Sequence, residues 1–244
     1  MKHYTYIPGR LEAFIPARGG SKSIPLKNLA RLNGRSLLDY SIAAAKAAKS
    51  IKAIHCSTDH ERIASVCRKH QVSVHPRPKS LGGDNISTVQ VIEHFIHWRA
   101  KQDELPEMIA LLEPTSPFLL PKHISAAYRA LKDAPEADSS QTVVIPPPNH
   151  HAYNQRHIKD GYMHFSFPRE RKGRVNKQSK PVHYVHGNLR IFRARSFLRH
   201  NSIFGRRSIP IEIPQWYGFD LDGPDDMRIA RLLLKESVVR LNHL

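Results

Sequence analysis

The chain has 244 residues, of which 40% are hydrophobic and 24% charged, the balance of a soluble globular protein with room for one α/β domain and a real core. No apolar run approaches the ~20 residues that span a bilayer, and the polar stretch Met1–Arg10 carries no secretory signal, so a cytoplasmic chain without a membrane part is expected. Lys and Arg number 38 against 21 Asp and Glu, a formal net charge of +17, whose field gathers nucleic acid, anionic lipid or small phosphates and carboxylates without choosing among them.

Short apolar runs alternate with helix-period segments, the pattern of a parallel sheet covered by helices. Leu11–Pro16 reads as the first strand and Ser36–Lys49 as a helix capped by Ser36, with Asp39 three residues later. Ile51–Cys56 is a second strand, 59–70 a helix, and Val72 with Val74 a short third strand. The spacing of Val91, Ile92, Phe95 and Trp98 predicts an amphipathic helix over 87–101. A strand at Met108–Leu112, a helix near 122–132 and a strand at Gln141–Ile145 follow. Residues 149–187 then change texture: Arg169, Arg171, Lys172, Arg174, Lys177 and Lys180 face a single acid, Glu170, in an excursion from the sheet. The fold resumes at Leu189–Phe192 and ends in a helix over 224–234. The whole chain, 1–244, reads as one domain carrying that excursion.

The loop from Ala17 to Asn28 follows the first strand, so it lies at the carboxyl edge of the sheet, where α/β proteins bind ligands. Gly19 and Gly20 permit close backbone approach, and Arg18, Lys22 and Lys27 would neutralise a polyphosphate and charge developing on its phosphorus. Near the other end, Asp220 and Asp222 alternate along an extended segment and share one side of it, while Asp225 and Asp226 suit the first turn of the last helix. Cys56 and Cys67 have neither disulfide-framework nor zinc spacing and read as free buried thiols. The 16 histidines include His94/His97 and His183/His186, neither of which makes a four-ligand zinc pattern. His150 and His151 either border a site or lie on a solvated loop.

In order along the chain come Ala17-Arg18 through Ser21-Lys22, Pro25, Lys27-Asn28; Ser57-Thr58-Asp59; Arg77-Pro78 before Gly83-Asp84 and Ser87-Thr88; Leu111-Leu112-Glu113-Pro114-Thr115-Ser116-Pro117; Asn188 before Ile191-Phe192; and Phe219-Asp220-Leu221-Asp222. Together these resemble the CMP-sialic acid synthetase (acylneuraminate cytidylyltransferase) family, from residue 13 to about 234. The resemblance implies a Rossmann-like, mostly parallel sheet of the nucleotide-diphospho-sugar transferase type with a small protruding dimerisation segment, here 149–187, and a homodimer. It implies CTP held by Ala17, Arg18, Ser21, Lys22, Lys27, Asn28, Arg77 and Thr88, and Mg²⁺ held by Asp220 and Asp222. Glu113, Lys177, Gln178 and Asn188 fall at the positions that meet a nine-carbon keto-sugar acid. The implied reaction is in-line attack of the sugar's anomeric hydroxyl on the α-phosphate, with Arg18 and Lys22 stabilising charge and Asp222 the candidate base.

The chain also departs from the family pattern. Lys177 replaces an arginine, and so loses the bidentate fork. Leu119 stands for an arginine, Leu189 for a glycine, and Glu113 for a glutamine, where it would repel a carboxylate unless protonated or turned away. The nucleotide half matches more closely than the sugar half, which leaves sialic, legionaminic, pseudaminic and Kdo-type acids as substrates. Two other readings remain: a catalytically degenerate nucleotide-binding relative, and a nucleic-acid-binding module. The second is weakened by the lack of aromatics across 169–180.

Overall fold

The structure is a computed structural model that describes residues 4–102, 104–174 and 176–244, and all of their side chains but that of Lys177. Its strands are β1 (Tyr6–Pro16), β2 (Arg31–Leu32), β3 (Arg35–Ser36), β4 (Ile51–Thr58), β5 (Ser73–Pro76), β6 (Leu105–Leu111), β7 (Ser139–Val144), β8 (Arg156–Lys159), β9 (Tyr162–Phe165), β10 (Val185–Arg193) and β11 (Ser208–Glu212). The helices are α1 (Leu37–Ala47), α2 (Glu61–Lys69), α3 (Thr88–Arg99), α4 (Pro121–Asp133), α5 (Pro168–Arg171), α6 (Ala194–His200) and α7 (Pro224–Lys235). The main sheet has seven strands in the order β11-β7-β10-β6-β1-β4-β5. Only β10 runs against its neighbours, β6 and β7; the remaining pairs are parallel. This is the mostly parallel α/β sheet expected from the sequence.

Alternation along the strands divides the core in two. Leu11, Ala13 and Ile15 of β1 pack with Ile42 of α1, Ile63 of α2 and Ile124 of α4. Phe14, with Ile109 and Leu111 of β6, packs with Ile92 and Phe95 of α3 and Phe197 of α6. A third cluster seats α7 through Met227 and Leu233 on Leu37, Tyr40, Phe118 and Leu221. Leu119 and Leu189, two of the departures noted above, are both buried in the first cluster; an apolar side chain suits each place.

Local signals explain most element boundaries. Ser36 caps α1 and Ser87 caps α3, each through a reciprocal box with Asp39 or Gln90. Strand β1 starts earlier than expected and carries a bulge at Pro8-Gly9: Gly9 has φ +66° and its N–H donates to Glu107 Oε2 at 2.7 Å. Strand β11 has no clear signal in the sequence because Pro210 interrupts it; the strand is the sheet edge, where a missing donor is tolerated. Between β7 and β10 the chain forms a separate hairpin, β8 and β9, turned at Asp160-Gly161 with φ +51° and +80°. No helix among the described residues is long and apolar enough to cross a membrane.

A carboxylate lies inside this core. Glu12 is fully buried on β1 and accepts from Arg10 Nε at 2.6 Å and Arg99 Nε at 3.1 Å, with His55 Nε2 at 3.0 Å. Burial pushes its pKa up, but the hydrogen bonds from His55, Arg99 and Arg10 outweigh burial and hold it at about 2. A carboxylate depressed in this way contributes stability above its unfolded pKa, and that contribution disappears as pH falls from about 5 toward 2. Glu12→Gln should therefore cost about 3 kcal/mol near pH 7, measured by urea unfolding, with a gap to the unmutated chain that narrows below about pH 5 and closes toward pH 2. A gap independent of pH would mean that the cluster contributes only through packing.

Candidate functional site

The winding of the sheet reverses beside β1: the chain goes outward through β4 and β5, then returns by α3 to place β6 on the other flank. Loops leaving the carboxyl ends of β1 and β6 diverge there and leave a crevice. In this structure it is a cleft of about 430 Å³ lined by Arg18, Ser21, Lys22, Lys27, Asn28, Arg77, Thr88 and Glu113, among others.

The first loop is fixed by its backbone. Ala17 N–H donates to Ser57 O at 2.9 Å, Gly19 N–H to Asp59 Oδ1 at 2.8 Å, and Asn28 Nδ2 to Arg18 O at 2.9 Å. Gly19 is needed here for fit: a Cβ would lie 2.7 Å from the ring of His60. With the backbone tied down, the side chains of Arg18 and Lys22 reach into the cleft, where both meet Asp84, at 3.0 and 2.7 Å. The Lys22 and Arg18 contacts draw the Asp84 pKa below the ordinary carboxylate value.

Arg77 is no surface residue. It is buried, with Nε donating to Ser57 Oγ at 3.2 Å and Nη2 to Ser57 O at 3.1 Å, and burial lowers its pKa. Thr88 opens α3, whose amino end adds a partial positive charge beside the same space.

Lys27 links the two ends of the chain. Its Nζ lies 3.1 Å from Leu221 O and 3.3 Å from Asp222 Oδ1, and Ser23 Oγ donates to Asp222 O at 2.5 Å. Leu221 is buried, so Asp220 and Asp222 both face outward. Ser116 Oγ donates to Asp220 Oδ1 at 3.2 Å. Each carboxylate keeps its second oxygen unengaged among the described residues. Two carboxylates with spare oxygens fit Mg²⁺, a hard cation that fills its other positions with water and phosphate oxygens. Among the described residues no cluster of three or more His, Cys, Asp or Glu could hold a metal. Asp226 has the capping role expected of it, accepting from Asp222 N–H at 2.9 Å and Gly223 N–H at 2.8 Å.

Other predicted residues stand outside the cleft lining. Ala17 is buried behind the loop. Asn188 is also buried: Nδ2 donates to Tyr217 O at 2.8 Å and Oδ1 accepts from Thr142 Oγ1 at 3.1 Å, so its amide is spent within the fold. Gln178 is exposed in the excursion, and the side chain of Lys177 lies outside the described residues. Two residues absent from the sequence-derived site emerge. Asp84 stood in a quoted motif without a role, whereas Arg190, one polar residue within an apolar strand, gave no signal at all. Arg190 Nη1 donates to Glu113 Oε2 at 2.7 Å, which holds the carboxylate that had seemed out of place.

Residues 13–236 match a sequence model described as cytidylyltransferase. The chain belongs to that family. Among its cytidylyltransferase relatives, it is 38% identical to N-acylneuraminate cytidylyltransferase A of Danio rerio over 121 residues, 50% of this chain and 27% of that protein. It is 27% identical to N-acylneuraminate cytidylyltransferase of Escherichia coli over 221 residues, 91% of this chain and 51% of that protein. The chain thus spans roughly a quarter to a half of those relatives. Post-translational flagellin modification protein B of Campylobacter coli matches at nearly full length: 26% identity over 231 residues, 91% of this chain and 94% of that protein. In fold the chain is similar to CMP:2-keto-3-deoxy-manno-octonic acid synthetase complexed with CTP, with TM-score 0.70 and 15% identity, covering 93% of this chain and 99% of that one. It is also similar to 4-diphosphocytidyl-2C-methyl-D-erythritol synthase of Anaerococcus prevotii, with TM-score 0.63 and 14% identity, covering 93% and 97% of the two chains.

Because Asp84 competes for Arg18 and Lys22, Asp84→Asn should bind inorganic tripolyphosphate about two- to fivefold more tightly in calorimetry, a gain reduced by added salt. Weaker binding would make Asp84 a support for the loop instead of a competitor.

Proposed function

We propose that this cytidylyltransferase-family protein transfers CMP from CTP to the anomeric hydroxyl of a sialic-acid-like nine-carbon keto-sugar acid. The observation that carries the reading is the cleft itself, which gathers Arg18, Lys22, Lys27, Arg77 and Thr88 at the carboxyl ends of β1 and β6 with Glu113 on its other wall. Arg18, Lys22 and Lys27 bind the triphosphate, Arg77 and the start of α3 hold the nucleotide, and Ser21 and Asn28 shape the loop between them. The similarity to N-acylneuraminate cytidylyltransferases supports the choice of acid.

In the proposed reaction the anomeric oxygen attacks the α-phosphorus, a new P–O bond forms, and the bond to the departing pyrophosphate breaks. The proton passes to the Asp222 carboxylate. Arg18 and Lys22 spread the charge that builds on the phosphoryl oxygens, and fixed geometry supplies most of the remaining rate. Asp220 and Asp222 would hold Mg²⁺, which supplies charge neutralisation on the phosphates. Lys177 and Gln178 of the excursion meet the sugar's carboxylate in this reading, within a homodimer formed through 149–187, and the chain works in the cytoplasm.

Two measurements test it. CTP should raise the thermal midpoint more than ATP or GTP, as a ligand specific for the folded state must; equal shifts for all nucleotides would leave a generic polyphosphate site. Asp222→Ala should lower pyrophosphate release at least about 100-fold with the fold intact, whereas exposed Asp225, paired among the described residues only with Arg228 on its own helix, should tolerate Ala with little change. Equal loss in both variants would remove Asp222 from the chemistry.

A further inference from the structure

The loop after β6 places a carboxylate where an acidic substrate is to be received. Glu113 lines the cleft beside Pro114 and Thr115, on the β6 side, across from the Arg18–Lys22 loop that follows β1. Unpaired, it would repel an anionic acceptor. Arg190 answers it from the neighbouring strand: β10 pairs with β6 in a register that sets Arg190 opposite Leu111, two residues before Glu113. The contact is 2.7 Å long, with side-chain exposures of 17% for Arg190 and 32% for Glu113. The guanidinium carbon also lies 5.6 Å from the centre of the Phe204 ring, a weak contact at that distance. Arg190 Nε is buried with no acceptor among the described residues, an arrangement that costs stability and that an apolar residue on this strand would avoid.

The pair leaves an asymmetry. Glu113 Oε2 is taken by Arg190, while Oε1 accepts nothing among the described residues. An ionised carboxylate can only accept hydrogen bonds, whereas a glutamine would both donate and accept. We propose that Arg190 and Glu113 form a specificity device, in which Arg190 neutralises Glu113 so that an acidic acceptor can approach, and Glu113 Oε1 reads a hydroxyl or N–H donor on that acceptor. This deepens the reading of the cleft given above and rests on it. It assigns the substrate group beside Glu113 as a donor and places the acceptor's own carboxylate elsewhere. Glu113 touches substrate in this scheme, and Arg190 is a positioning residue acting through it.

The test is a double-mutant cycle on pyrophosphate release, with CTP and N-acetylneuraminic acid as the probe acceptor. Arg190→Ala should raise the acceptor KM about tenfold or more by leaving Glu113 uncompensated, while the KM for CTP stays within about twofold. Adding Glu113→Gln to Arg190→Ala should bring the acceptor KM back to within about threefold of the Glu113→Gln single variant, a rescue that lost packing would not give. Glu113→Gln alone should weaken discrimination between N-acetylneuraminic acid and an analogue in which a donor hydroxyl is replaced by a methoxy group. With the unmutated chain active, absence of rescue, or equal rises in both KM values, overturns the device and leaves the cytidylyltransferase reading standing. An unmutated chain that binds CTP and releases no pyrophosphate with any sugar acid overturns both. Circular dichroism of each variant identifies a variant that fails to fold; Arg190→Met, which keeps the apolar stem, then replaces Arg190→Ala in the cycle.

Discussion

A parallel sheet that winds outward in one direction and then in the other cannot close the space where the two directions part. In this chain that place is the gap between the carboxyl ends of β1 and β6, and the rest of the site follows from it. The loop after β1 supplies Arg18 and Lys22, the turn after β5 supplies Arg77, and the start of α3 supplies Thr88. The loop after β6 supplies Glu113. The last link is made by the chain's own ends, since Lys27 and Ser23 bind the backbone of Leu221 and Asp222. That contact brings a carboxylate-bearing segment from near the C-terminus alongside the first loop, with Leu221 and α7 anchoring it in the third core cluster.

The second constraint is electrostatic. A chain of formal charge +17 that concentrates cations at one cleft must keep them from repelling each other. Asp84 pairs with Arg18 and Lys22, Asp222 with Lys27, and Arg190 with Glu113. Asp84, which pairs with both Arg18 and Lys22, is exposed enough for those pairs to open at small cost, whereas Glu12 deep in β1 is bound into a cluster that belongs to the fold.

Much of this was legible in the residues. The 3.6-residue and two-residue periods located the helices and strands of the main sheet, because those elements bury one face each, and the Ser36 box fixed the start of α1 to the residue. The position of the Ala17–Asn28 loop followed from the strand before it. Less could be read where the physics is pairwise and long-range. The edge strand β11 contains a proline, and α6 is only seven residues long, so neither has a strong local pattern. Arg190 could not be connected with Glu113 from sequence, since the contact spans 77 residues and depends on strand register. Asn188, expected at the sugar, has its amide bound to Thr142 and Tyr217 instead. Leu119 and Leu189 read as losses from a site pattern, and their burial shows them to be core residues.

In the proposed reaction this cleft joins a CMP group to a keto-sugar acid. Phosphorus NMR of the purified protein with CTP, Mg²⁺ and N-acetylneuraminic acid tests it most directly, because the bonds made and broken appear as separate signals. The proposed transfer should give a new phosphodiester resonance growing in equal proportion with pyrophosphate, and neither without the acid. Unchanged CTP with every keto-sugar acid offered, or CTP hydrolysed at a rate indifferent to the acid, would contradict it.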